Sequence, residues 1–212
     1  GVGVFSFPMG FATAIFLTEY SKDNVWKRVI ELAIRNLAGV PSVVYGLFGF
    51  AVFVNFFHFK GSLISAILTL SIMTLPWIIV ASVEALEAVP VRFRDSSVAL
   101  GASRWDTVRR IVIPLAIPGS LTGGIVGLAR ALGETAPIII VGATFYLATL
   151  PNSLLDPFMA LPYHTYILAT QHSSPSAQEY ATATALVLIL LTFALSAGAM
   201  AVRYVYRMRK DW

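Results

Sequence analysis

Apolar residues in this chain gather into five long runs, with the charged residues between them. The first run is Val2 to Leu17, ending at Glu19 and short for a full crossing. The second extends from about Leu37 to Phe57 and the third from Ser62 to Val83. The fourth spans about Ile111 to Leu132, and the fifth Ala181 to Val202. A helix rising about 1.5 Å per residue needs about 20 residues to cross roughly 30 Å of hydrocarbon. Most of the runs approach that length. A sixth stretch, Ala136 to Leu150, is shorter and marked by Pro137 and Pro151, which suits a re-entrant or half-buried element. The Pro, Asn, Ser and His residues of 151–180 read as a loop carrying a short helix near Leu161 to Gln171. No fixed-period repeat appears. The pattern predicts an all-α fold: one polytopic membrane helix bundle over 1–212, with five visible spans and one short element.

Composition agrees. Of 212 residues, 57% are hydrophobic and only 12% charged, against about 25% charged in soluble domains. So few charges do not cover a soluble surface, whereas lipid solvates an apolar exterior directly. Mean hydropathy is +0.77. The chain has no Cys, which excludes disulfides and thiolate metal sites. Gly1 is not an initiator Met and apolar sequence starts at once, so a preceding portion with one further span is expected.

The placement of the cations says more than the net charge of +4. Lys22, Lys27, Arg28 and Arg35 fall in 19–36, and Arg92, Arg94, Arg104, Arg109 and Arg110 fall in 84–110. Arg203, Arg207, Arg209 and Lys210 fall in the tail. Cytoplasmic loops carry the Lys and Arg excess. One topology satisfies this throughout: these three segments and the C-terminus are cytoplasmic, with 58–61 and 133–180 outside. Membrane lipid is a neighbour by construction, and nothing points to nucleic acid. A bacterial inner (plasma) membrane location is expected.

The cytoplasmic stretch 84–110, EALEAVPVRFRDSSVALGASRWDTVRR, is built to hold a shape. Asp95, Ser96 and Ser97 offer acid and hydroxyl groups to the free N–H groups of a helix start. Gly101 allows a bend, and Ser103 can cap the helix that follows. A helix–bend–helix on the cytoplasmic face suits docking of another protein; the plainer alternative is a basic loop held to anionic lipid. The chain contains no Gly-x-x-x-x-Gly-Lys-Ser/Thr loop. The chain therefore does not bind ATP in the P-loop manner itself, and no cofactor is expected in it.

These residues resemble a signature of ABC importer permeases: E-A-A, three residues, G, nine residues, I-x-L-P. Asp95, Ser96, Ser97, Gly101, Ile111, Ile113 and Pro114 match with both spacings kept. Asp for Glu, Ser-Ser for Ala-Ala and Ile for Leu are mild departures. The resemblance implies a type-I importer permease whose loop is the coupling helix for the ATPase, with Ala102, Ser103 and Trp105 continuing that surface. The runs LAGVPSVVYGLFG (37–49), PGSLTGGIVGLARALGETAP (118–137) and LPYHTYILATQ (161–171) are similar to the PstA-type subunit of phosphate importers. That similarity covers nearly the whole chain. It implies a PstC-like permease partner, a cytoplasmic ATPase dimer, an external phosphate-binding protein, and phosphate as cargo moved by alternating access.

Arg130 and Glu134 are the foremost pathway candidates. A cation inside a span is expensive and marks a route or a pair, and Glu134 stands at i+4 to partner it. An Arg partly offset by Glu attracts an anion without trapping it; the bland alternative is a helix-end salt bridge with Arg130 snorkelling outward. Pro41 inside an apolar span frees a carbonyl, so Ser42 and Tyr45 become candidates for pathway hydroxyls. A plain kink with Tyr45 packed between helices is the other possibility. Thr135 and Thr122 are weaker candidates. The Gly123, Gly124 and Gly127 group reads as a close packing surface. His58, His164 and His172 lack metal-ligand spacing and read as surface residues. Rival functions are a permease for molybdate, sulfate or phosphonate, a passive channel, or an intramembrane enzyme; the last needs facing catalytic pairs, and none is evident.

Overall fold

A computed structural model describes residues 1–171 and 174–208. His172, Arg209, Lys210 and the side chains of Arg203 and Arg207 lie outside the described set. Among the described residues every regular element is helical. Helix α1 (Val2–Ile15) continues through a π-helical turn, Phe16–Tyr20; α2 is Val25–Ala38. Helix α3 (Ser42–Gly49) runs on as π-helix through Phe50–Phe56, and α4 is Leu63–Glu87. Two short helices follow, α5 (Val91–Ala99) and α6 (Arg104–Thr107). A π-helical turn, Val108–Val112, joins α6 to α7 (Ile113–Gly133). The last three are α8 (Ala136–Val141), α9 (Leu161–Gln171) and α10 (Pro175–Met208).

Among the described residues, four helices are long and apolar enough to cross a membrane: Val2–Tyr20, Leu63–Glu87, Arg104–Gly133 and Ser176–Gly198. A fifth is reached if α2 and α3 with its π continuation are taken as one broken span. The break lies at 39–41, inside the second apolar run, so the expectation of helix from Leu37 needs correcting. Pro41 is the N-cap of α3, not an interior residue, and its carbonyl accepts from the Val44 N–H at 3.0 Å. It therefore frees no helix carbonyl; its fixed φ instead starts a helix, as proline does at a first turn. Helix α2 is a separate amphipathic element. Asn24 caps it by accepting from the Lys27 N–H at 2.9 Å. Trp26, Val29, Ile30 and Leu37 share one face, while Lys27, Glu31 and Arg35 share the other.

The chain divides into two compact units. The first comprises Gly1–Val2, Val40–Met73 and Leu128–Ser196. Its core gathers Tyr45, Ala66, Leu70, Met73, Ile138 and Phe158. Helix α3 packs on α8 with little between their backbones: a Cβ on Gly46 would stand 2.7 Å from the Pro137 Cα. Leu154 and Asp156 in the 142–160 loop supply carbonyls to the Ile64 and Leu63 N–H groups at 2.8 and 3.0 Å. These are orphan donors at the start of α4, so the loop caps a span. The sixth apolar stretch is helical only over Ala136–Val141.

The second unit comprises Gly3–Gly39, Thr74–Gly127 and the chain from Ala197. Here α7 lies against α4 through small residues, as membrane helices do when dispersion rather than hydrophobicity joins them. A Cβ on Gly123 would stand 2.1 Å from the Ala81 Cβ. The expected glycine surface is thus used within the chain. Ala14, Leu86, Val89, Val112 and Ala116 form this unit's apolar cluster, with Ile15, Val83 and Leu115 around it.

Candidate functional site

The stretch after α4 folds as two short helices meeting at a glycine. Pro90 caps α5 with φ −58° and ψ 135°, a geometry its ring pre-sets. The helix therefore begins at Val91, and Asp95 and Ser96 sit exposed in its second turn. The expectation that Asp95–Ser97 opens the helix is corrected: proline sets the start four residues earlier. Gly101 takes φ +84°, a left-handed conformation costing other L-residues about 1–2 kcal/mol. The chain turns there and restarts at Ser103. Ser103 Oγ accepts from the Asp106 N–H at 3.1 Å and donates to Asp106 Oδ2 at 2.5 Å. The cap expected of this serine is present.

Ser97 is buried, and its Oγ lies 2.9 Å from Thr107 Oγ1, joining α5 to α6 across the bend. Thr107 also donates to the Ser103 carbonyl at 3.1 Å. The bend is thereby held by satisfied polar groups on both sides. Outward, Leu100 is 89% and Trp105 56% exposed. A hollow of about 310 Å³ beside Leu100 is lined by Ser97, Leu100, Gly101, Ala102, Asp106 and Arg110, among others. A bend that presents two large apolar side chains outward is a surface shaped for protein. From α6 the helix is continuous through the π-helical turn into α7, so this surface and a membrane span are one element.

An ion pair missed in the sequence ties the element down. Arg94 on α5 donates to Glu19 Oε1 from Nη2 at 2.7 Å and from Nε at 3.1 Å. The same guanidinium reaches the Val89 carbonyl at 2.6 Å and the Leu86 carbonyl at 2.9 Å. Glu19 lies in the π-helical turn that ends α1, and Leu86 in the last turn of α4, where helix carbonyls lack partners. The Glu19 and Arg94 side chains are 9% and 21% exposed. Removing one member of such a buried pair costs about 3–5 kcal/mol, because the other charge is stranded. The only sequence signals were an acid ending an apolar run and an Arg just after a proline.

Of the pathway candidates, Arg130, Glu134, Thr135, Ser42 and Tyr45 lie in the first unit and Thr122 in the second. Arg130 Nε stands 3.4 Å from Glu134 Oε1, so the pair forms, with side chains 47% and 15% exposed. Glu134 sits just beyond the end of α7 rather than within it. Thr135 follows as the N-cap of α8, making no side-chain capping bond. Ser42 opens α3 half-buried, and Tyr45 is buried in the apolar cluster with Ile138. Because α3 packs on α8, the Ser42–Tyr45 turn and the Thr135–Ile138 turn belong to one contact. Thr122 is satisfied inside α7, donating to the Pro118 carbonyl at 2.9 Å.

His58 is exposed as expected. His164 is not a plain surface residue: it is half-buried, with its ring stacked on Phe145 at 5.0 Å between centroids. Among the described residues no group of three or more His, Asp or Glu is placed to hold a metal ion.

Residues 6–210 match the family described as "Binding-protein-dependent transport system inner membrane component". The chain belongs to that family. This makes it a multi-pass inner-membrane permease component of an ABC transporter, in line with its apolar helices. Its relatives include the protein "Probable ABC transporter permease protein YqgH" of Bacillus subtilis (strain 168), 36% identical over 96% of this chain and 66% of that one. "Phosphate transport system permease protein PstA 1" of Mycobacterium tuberculosis (strain ATCC 25618 / H37Rv) is 33% identical over 98% of this chain and 66% of its own. The permease thus spans about two thirds of the length of these relatives, and the PstA-type resemblance of its three quoted runs holds. In fold it is similar to a chain of the inward-facing MetNI methionine ABC transporter, with TM-score 0.77 and 17% identity, covering 96% of this chain and 88% of that one.

Proposed function

We propose that this permease is one of two membrane subunits of an ATP-driven importer for inorganic phosphate. It pairs with a PstC-like subunit, receives the anion from an external phosphate-binding protein, and docks a cytoplasmic ATPase dimer on α5–Gly101–α6. The chain itself performs no covalent chemistry; ATP and Mg²⁺ belong to the ATPase. The observation that carries the docking role is the bend at Gly101, which leaves Leu100 and Trp105 exposed on an element continuous with α7. For the substrate, support comes from PstA relatives of similar sequence over nearly the whole chain.

Within the spans, Arg130 supplies the positive charge and Glu134 tempers it. An anion arriving beside Arg130 exchanges hydration for charge-assisted hydrogen bonds. The carboxylate competes for the same guanidinium, so the ion is held weakly enough to leave. The Thr135 and Ser42 hydroxyls are the neutral donors proposed for the same route, with Tyr45 packed behind them. Asp95 and Ser96 lie on the exposed side of α5 and belong to the docking face; Ser97, Ala102 and Ser103 hold its bend.

The deciding experiment uses the whole complex with its binding protein in proteoliposomes. Phosphate should stimulate ATP hydrolysis and ATP-dependent uptake. Stimulation by molybdate, sulfate or a phosphonate instead would keep the importer and replace its cargo. Uptake without ATP would replace the importer with a channel.

A further inference from the structure

The coupling element has a buried side in addition to its docking face, and that side is organised around a single guanidinium. Three of Arg94's nitrogens make four short hydrogen bonds to three acceptors, which belong to different parts of the chain. The Glu19 carboxylate comes from the end of α1, the Leu86 carbonyl from the end of α4, and the Val89 carbonyl from the link into α5. We propose that Arg94 is a positioning residue that joins the docking helix to the ends of two spans, so that movement of α5 becomes movement of α1 and α4. This rests on the docking role proposed above.

Three observations support the joint. The first is geometric. Guanidinium is a planar fork with five donors, and it is always charged, which suits holding several fixed acceptors at once. A merely structural cap of α4 needs one donor and no carboxylate. The second is the location of Glu19 in a π-helical turn. Such turns are inserted residues in an α-helix, recur at functional positions and cost stability unless something holds them. The third is the setting. Leu86 and Val89, whose carbonyls Arg94 takes, place their side chains in the cluster with Ala14, Val112 and Ala116. Val112 ends another π-helical turn, the one carrying α6 into α7. The ionic tie and the apolar cluster thus share Leu86 and Val89, so the guanidinium is anchored to a packed part of the spans. Of the two, the ionic tie is the directional one.

The test uses the assembled transporter with its binding protein in proteoliposomes, and reads phosphate moved per ATP hydrolysed beside co-purification of the ATPase. Glu19→Gln and Arg94→Lys should each keep the ATPase bound and hydrolysing. Phosphate per ATP should fall about tenfold, toward the lower end of the usual range for coupling between sites. These 212 residues contain no Cys, so the double variant Glu19→Cys/Arg94→Cys, made in a complex whose other cysteines are replaced, offers a defined pair of thiols. A short reversible bifunctional thiol reagent should restore the ratio when it bridges them, and reductant should abolish it again. A wild-type ratio in both single variants overturns the joint. So does loss of the ATPase from Arg94→Lys, which would make the pair a scaffold for the docking face. If the wild-type complex loses no ATPase when Leu100 and Trp105 are made polar, the docking role itself fails, and this result is separate from either outcome at Arg94.

Discussion

The molecule contains two Arg–Glu pairs of opposite character. Glu19–Arg94 closes at 2.7 Å with both side chains mostly shielded, while Arg130–Glu134 spans 3.4 Å with Arg130 nearly half exposed. The first joins residues 75 apart in sequence; the second is an i,i+4 pair at the end of one helix. The acceptors around Arg94 come from the end of α1, the last turn of α4 and the link into α5. Arg130 pairs with a carboxylate just past a helix terminus. In the roles proposed above, the shielded pair resists displacement and serves as a joint, while the more exposed pair serves as a contact for a passing ion. Burial, rather than residue type, separates the two.

The largest effect on transport should come from Arg130. Arg130→Gln is expected to lower phosphate uptake by about a hundredfold, the loss of one charge-assisted site at about 3 kcal/mol, with complex assembly unchanged. Uptake within a fewfold of wild type would reduce the pair to a helix-end salt bridge. Next comes the buried pair. Glu19→Gln should lower the unfolding transition of the detergent-solubilised complex, in keeping with a cost of about 3–5 kcal/mol. Glu134→Gln should barely move it, because pairs with an exposed partner are worth about 0–1 kcal/mol. Equal shifts for the two would erase the contrast.

Smaller effects test the surroundings. Gly123→Leu forces a side chain into Ala81 and should cost about 1–3 kcal/mol by overpacking, read as a lower melting temperature. Ala81→Gly should recover part of it. Ser103→Ala removes a helix cap worth about 1 kcal/mol. It should weaken ATPase co-purification about fivefold while leaving the spans' melting unchanged.

What the sequence revealed follows the range of each signal. Short-range patterns read well: a helix lies at Leu161–Gln171 as expected, the Ser103 cap and Gly101 bend are in place, and Arg130 meets Glu134 at i+4. Helix starts read less well. Asp95 looked like a cap because acids favour that position, but Pro90 had already fixed the backbone upstream. Pro41 misled in the opposite way: apolar residues on both sides concealed a break between an amphipathic helix and α3. The Glu19–Arg94 pair was invisible, because no periodicity links residues in separate turns of the chain. His164 was misjudged for a related reason: its stacking partner, Phe145, comes from an irregular loop whose path no local rule specifies.

The central claim is that α5–Gly101–α6 receives the ATPase and passes its motion to the spans. The most direct measurement is ATPase co-purification and ATP-dependent phosphate uptake for Leu100→Glu/Trp105→Glu in the intact complex. The account predicts that the ATPase is released and uptake lost while the two membrane subunits stay together. An ATPase that remains bound, with uptake at the wild-type rate, would contradict it.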